Sequence, residues 1–175
     1  MFNAHQTGLA IGIAIGLIIT VIVLKLVNKD GKMRTEYDEM QKIARGEAYK
    51  YGFWAFAICE CIMLLLTSGK ATLPAEPFVL HFGVILVGVI VQASYSIWHN
   101  AYIGLNTNPG KFAVFAVIIS AFNFFIGIMA IVRGGMVVDG MLQAPAVNIL
   151  CGVLFIIIGV EIFLKMEADR NKKEE

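Results

Sequence analysis

Long apolar runs separated by short polar breaks dominate the chain. Five of them, residues 8–27, 49–68, 78–103, 112–132 and 146–165, reach the roughly 20 residues a helix needs to cross about 30 Å of hydrocarbon. In lipid every backbone polar group must pair within the protein, which leaves the helix as the form for runs this long and uniform. The breaks carry turn chemistry: Pro74 and Pro77 in one, Asn108-Pro109-Gly110 in the next, Gly134-Gly135 and Asp139-Gly140 in the last. The pattern predicts one all-α domain over 1–175, an integral membrane bundle of five transmembrane helices. Met136-Val137-Val138 and Met141-Leu142-Gln143 around Asp139-Gly140 fit a tiny β-turn or a plain loop equally well.

Residues 28–48 form the one sizeable polar stretch. Met33, Tyr37, Met40 and Ile43-Ala44 recur at helical spacing, and Asp38 precedes Lys42 by four residues. Thr35 followed by Glu36 and Asp38 resembles a helix N-cap with acids in the first turn. The expectation is an amphipathic helix over 33–48, lying along the membrane surface and bending near Gly46 into the second span. Its basic residues favour anionic lipid headgroups, and Tyr37, Met40 and Ile43 form its candidate docking surface.

Charge placement adds an orientation. With the N-terminus outside, Lys25, Lys29, Lys32, Arg34, Lys42, Arg45, Lys50, Lys111, Lys165, Arg170, Lys172 and Lys173 face the cytoplasm, as does the C-terminus, while Lys70 and Arg133 stay outside. That bias follows the positive-inside rule. Tyr49, Tyr51, Trp54, Trp98, Tyr102 and Phe112 fall at the same inner interface, where such rings prefer to sit. The first run lacks a basic leader and a small-x-small cleavage site, so it is expected to remain as an anchor. Only 15% of residues are charged and the net charge is +1, which gives no reason to expect a nucleic-acid partner.

Lipid offers helices no hydrophobic reason to associate, so small residues and interhelical hydrogen bonds must hold them together. Gly8, Gly12, Gly16 and Thr20 make a ridge on the first span, matched to another helix of the same chain or of a second copy. The fourth span carries Ala113, Ala116, Ser120, Asn123 and Gly127 on one stripe, and the fifth carries Asn148, Gly152, Phe155 and Gly159. The spacing predicts that these two spans pair.

Three features bear on chemistry. On the third span His81, Gly88, Gln92, Tyr95, Ser96 and His99 fall within about 60° of one line, a polar stripe made for packing or for a hydrated path. Glu60 sits near the middle of the second span with no cation at its depth, and Gln92 and Asn123 are the polar residues expected nearest to it. An acid there is either a hydrogen-bonded structural group or a proton- or cation-coupling one. Glu161, four residues before Lys165, fits a surface ion pair. Cys59, Cys61 and Cys151 lie within apolar runs and behave as small buried thiols. The three histidines lie too far apart in depth to share a metal, and no nucleophile elbow, metalloprotease, phosphate-loop or dinucleotide motif is present. Neither a cofactor nor an enzymatic activity is expected.

The segments Tyr37-Asp38-Glu39-Met40-Gln41, Ala44-Arg45-Gly46-Glu47-Ala48-Tyr49-Lys50-Tyr51 and Tyr95-Ser96-Ile97-Trp98-His99-Asn100-Ala101-Tyr102-Ile103 resemble parts of small uncharacterised polytopic membrane proteins of Gram-positive bacteria. The resemblance implies a bacterial cytoplasmic membrane and assigns no residue a role. Two functions fit these readings. One is a non-enzymatic accessory or regulatory protein that docks another membrane protein or a second copy of itself. The other is a small transporter or channel lined by Glu60, Gln92, Asn123, Ser96 and His99.

Overall fold

The computed structural model describes residues 4–68 and 73–174, with side-chain surroundings from residue 14 onward, Lys173 excepted. Five helices form among them: α1 Ala4–Val27, α2 Glu39–Ser68, α3 Pro77–Trp98, α4 Pro109–Val132 and α5 Ala146–Glu174. Four are long and apolar enough to cross a membrane, α2, α3, α4 and the Ala146–Lys172 part of α5, and the Ala14–Val27 part of α1 is apolar as well. Their outward faces carry large bare side chains such as Leu65, Phe125 and Phe163, a surface far more extensive than a water-soluble domain leaves uncovered.

The helices neighbour one another chiefly in the order α2, α3, α5, α4, with α1 touching α4. Leu86, Ala93 and Ile97 of α3 meet Leu154, Ile158 and Ile162 of α5 in the principal apolar core. Small residues set the closest approaches. Gly127 packs on Ile149, Gly152 on the Phe124 ring, and Gly159 lies beside Ala113, Ala116 and Val117. The Ser120 hydroxyl donates to the Gly152 carbonyl at 2.8 Å, so α4 and α5 pair along the stripes that their spacing indicates. Gly52 of α2 and Gly88 of α3 cross as closely: a Cβ on Gly52 would stand 2.8 Å from the Gly88 carbonyl. Among the described residues nothing lies within 4 Å of a Cβ built on Gly16, and Thr20 turns its hydroxyl back to the Gly16 carbonyl. The surroundings of Gly8 and Gly12 lie outside the described residues.

Element boundaries depart from expectation in three places. Residues 33–38 are not helical, and the helix that follows runs unbroken through Gly46 from Glu39 to Ser68. The cap is Asp38 rather than Thr35. The Gln41 N–H donates to Asp38 Oδ1 at 2.7 Å and the Asp38 N–H donates back to Gln41 Oε1 at 3.3 Å, a reciprocal capping box that satisfies two N-terminal donors and fixes the start. Gly46 has open space around it, and a lone glycine there costs about 1 kcal/mol without forcing a break. The third helix ends at Trp98, not at residue 103, because Asn100 takes a left-handed φ of 56° and the Ala101 and Tyr102 N–H groups both turn to the Ser96 carbonyl. The fifth helix runs on past 165 to Glu174, carried by the i,i+4 pairs Lys165–Asp169 and Arg170–Glu174.

At one end of the bundle, β1 Val137–Val138 and β2 Met141–Leu142 form an antiparallel hairpin. Asp139 and Gly140 both have positive φ, as the two-residue turn requires. The hairpin docks on residues 74–76 through bonds between the Glu76 N–H and the Leu142 carbonyl and between the Leu142 N–H and the Pro74 carbonyl, each 2.9 Å. The opposite end, where α2 begins and α5 ends, carries Lys29, Lys32, Arg34, Lys42, Lys111, Lys165 and Arg170 and is the basic end of the bundle.

Candidate functional site

The densest polar construction lies at the basic end. Residues 28–38 form a strap bound to the α3–α4 loop, residues 99–108. Its ties are the Lys29 N–H on the Asn106 carbonyl at 2.7 Å, the Leu105 N–H on the Glu36 carbonyl at 2.8 Å and the Asn108 N–H on the Val27 carbonyl at 3.0 Å. Asn28 and Thr107 are buried and pair through Thr107 Oγ1 donating to Asn28 Oδ1 at 2.7 Å. Asn106 is the hub: its Oδ1 accepts from the Glu36 N–H at 2.9 Å, and its Nδ2 donates to the Arg34 carbonyl and to Asp30. The Lys32 N–H and the Asn106 amide hold the Asp30 carboxyl below its ordinary range. Gly104 permits this approach, since any Cβ there would meet the Thr35 methyl and lie 2.7 Å from the Glu36 carbonyl.

The first turns of α2 press on the same loop. Gln41 Nε2 donates to the Asn100 and Ile103 carbonyls at 2.7 and 3.1 Å, and Arg45 Nη1 donates to the Ala101 carbonyl at 3.2 Å. The Arg45 guanidinium lies 4.2 Å above the centre of the Tyr37 ring. Tyr51 packs on Tyr95 at 4.9 Å between ring centres, and His99 stacks on Tyr95 at 3.8 Å. Burial, in each case the larger influence, pushes the Tyr37 hydroxyl up and Tyr102 up to about 12.

Beside the loop, between α2 and the last turns of α5, lies a cleft of about 250 Å³. Ile97, Ile103, Leu105, Ile162 and Met166 give it an apolar wall, and the Lys165–Asp169 pair, 2.7 Å apart, stands at its lip. Gln41 also lines it, with its amide committed to the loop carbonyls. Such a lining suits an apolar side chain with a polar rim.

The three docking residues separate. Met40 and Ile43 stand 75% and 64% exposed on α2, whereas Tyr37 is half-buried under Arg45. Met33, Leu105 and Met166 add bare apolar side chains at the same end. Leu105 belongs to the α3–α4 loop and Met166 to the end of α5, and only the fold brings them to the end of the bundle where α2 begins.

The polar residues within the apolar helices do not form one cluster. Glu60 binds His81, whose Nδ1 lies 2.9 Å from Oε1 and 3.1 Å from Oε2. Gln92 lies eleven residues further along α3, about 16 Å of rise, and its side chain makes no hydrogen bond among the described residues. Asn123 donates to the Ile119 carbonyl of its own helix at 2.8 Å. Ser96 is fully buried with its hydroxyl unpartnered among the described residues. His99 is exposed and donates from Nδ1 to the Tyr95 carbonyl at 2.8 Å. The α3 stripe is turned largely onto α2, through His81–Glu60, Gly88–Gly52 and Tyr95–Tyr51. Glu161 is not paired with Lys165: it accepts from Ser94 Oγ at 2.8 Å, which ties α5 to α3, while Lys165 pairs with Asp169. The i,i+4 spacing was equally available to either acid, and the side-chain directions decide it. No cluster of histidine, cysteine and acidic side chains able to hold a metal occurs among the described residues.

No family model, curated protein or solved structure matches this chain.

Proposed function

We propose that this chain is a multi-pass protein of the bacterial cytoplasmic membrane, with its N-terminus outside and its basic end in the cytoplasm, and that it is a non-enzymatic accessory or regulatory partner. The observation that carries the partner role is the bare apolar surface at the basic end. α2 has 30 residues and α5 has 29, roughly 45 Å each at 1.5 Å per residue, against about 30 Å of hydrocarbon. Both overrun lipid, and their surplus turns stand on either side of the cleft. Met40, Ile43, Leu105 and Met166 are therefore bare near or beyond the lipid boundary. Methionine and leucine at such a surface make adaptable contacts with a partner helix or loop.

A photo-crosslinking residue in place of Met40 tests this in intact cells. The expected result is one discrete protein adduct, another membrane protein or a second copy, lost when Ile43 is also changed to Glu. Crosslinks to lipid alone would remove the docking role.

A transporter is the second reading, favoured by the Glu60–His81 pair, in which a single proton can pass between a carboxylate and an imidazole. Against it stands the dispersal of the other polar groups: Asn123 bonds within its own helix, and Gln92 is remote from Glu60.

A further inference from the structure

A second cavity, of about 280 Å³, lies beneath the strap where α1, α2, α3 and the α3–α4 loop converge. Arg45 reaches into it. Of the five N–H donors of its guanidinium, one is used on the Ala101 carbonyl and one on the Tyr49 hydroxyl, each at 3.2 Å. No acid lines the cavity, and none of the ion pairs among the described residues includes Arg45. A half-buried guanidinium without a counter-ion is costly. The Tyr37 ring stacks on one face of the guanidinium and leaves its remaining donors free. Leu24, Val27 and Phe112 give the same cavity apolar lining. The Gln92 side chain also lines it, and its amide has no hydrogen-bond partner among the described residues. The site thus offers a cation with free donors, a spare amide and a greasy wall within one space.

We infer that this cavity holds an anionic amphiphile: a phosphate on Arg45 and Gln92, with the attached apolar chain against Leu24, Val27 and Phe112. The occupant is an anionic phospholipid of the surrounding leaflet. The phosphate sits at headgroup depth, marked by Tyr49 and Tyr102, and the wall on α1 and α4 continues into the span. Guanidinium is the suited cation, since its planar donors bind phosphate in pairs. The inference shares the membrane reading above but not the docking role. A chain soluble without detergent would fail that reading before any lipid is added, so the two failures are distinguishable.

The test uses delipidated full-length protein in a non-ionic detergent, with thermal unfolding and native mass spectrometry as readouts. Dihexanoyl phosphatidylglycerol should bind one to one and, at about a hundred times its Kd, raise Tm by about 5 °C or more. Dihexanoyl phosphatidylcholine should bind at least about tenfold more weakly, as should phosphatidylglycerol to Arg45→Gln. Equal responses to the two lipids, or in wild type and Arg45→Gln, would overturn the site. Inorganic phosphate matching the anionic lipid would overturn the lipid occupant and assign the same donors to a soluble phosphate compound. If Arg45→Gln does not fold, Leu24→Trp decides. It fills the apolar half, leaves every Arg45 contact in place, and must weaken the lipid response by about tenfold.

Discussion

Changing Gly52 to alanine is expected to destabilise the protein by about 1–3 kcal/mol, although the same change at Gly46, six residues earlier on the same helix, should be neutral or stabilising by up to about 1 kcal/mol. The contrast isolates packing from propensity. An added methyl gains helix propensity at both positions. At Gly46 it meets nothing within 4 Å. At Gly52 it would stand 2.7 Å from the Gln92 Cβ and 2.8 Å from the Gly88 carbonyl. Neither atom is the free end of a flexible side chain, so relief requires α2 and α3 to move apart. Separation would loosen the Glu60–His81 bond and the Tyr51–Tyr95 contact together, since both bridge the same seam. Unfolding in mixed micelles of graded denaturing detergent measures both variants. Equal effects at the two glycines would mean that α2 and α3 do not cross at Gly52.

Asn106→Ala should loosen the strap while leaving the helices and the backbone ties of the strap in place. Its side chain supplies an acceptor for the Glu36 N–H and donors for Arg34 and Asp30, and no neighbouring group can replace both roles. Loss of such a hub costs about 1–3 kcal/mol locally, partly made good by water because the strap is exposed. Amide exchange at Lys29, Glu36 and Leu105, whose N–H groups close the strap onto the loop, is expected to quicken about ten- to a hundredfold. Exchange in the middle of α3 and α5 should not change. Slow exchange retained at all three amides would show that the strap is held by something other than Asn106.

The helices were legible because long apolar runs admit one backbone solution in lipid, and the α4–α5 pairing because small residues such as Ser120 and Gly152 recur at helical spacing. The start of α2 was misread for a local reason. Thr35 with Glu36 and Asp38 carries a cap-like pattern, but Asp38 and Gln41 satisfy each other's backbone donors, and that reciprocal pair wins. The site was legible only in fragments. Met40 and Ile43 announce an apolar face from spacing alone. The strap, by contrast, joins residues seventy positions apart, as in Glu36 with Asn106, and nothing local encodes that pairing. His81 as the partner of Glu60 depends on the register of α2 against α3, set by the Gly52–Gly88 crossing. Hydropathy does not carry register, so Glu60 was matched to Gln92 and Asn123 by depth alone.

Both the docking role and the lipid site depend on the placement of the two ends across a membrane, and site-directed labelling in intact cells tests it most directly. In a background with Cys59, Cys61 and Cys151 replaced by Ser, a single cysteine is placed at Asp139 in the hairpin turn or at Lys32 in the strap. A membrane-impermeant maleimide is expected to label the Asp139→Cys protein in intact cells and the Lys32→Cys protein only after permeabilisation. Labelling of Lys32→Cys from outside, with Asp139→Cys protected, would contradict the account.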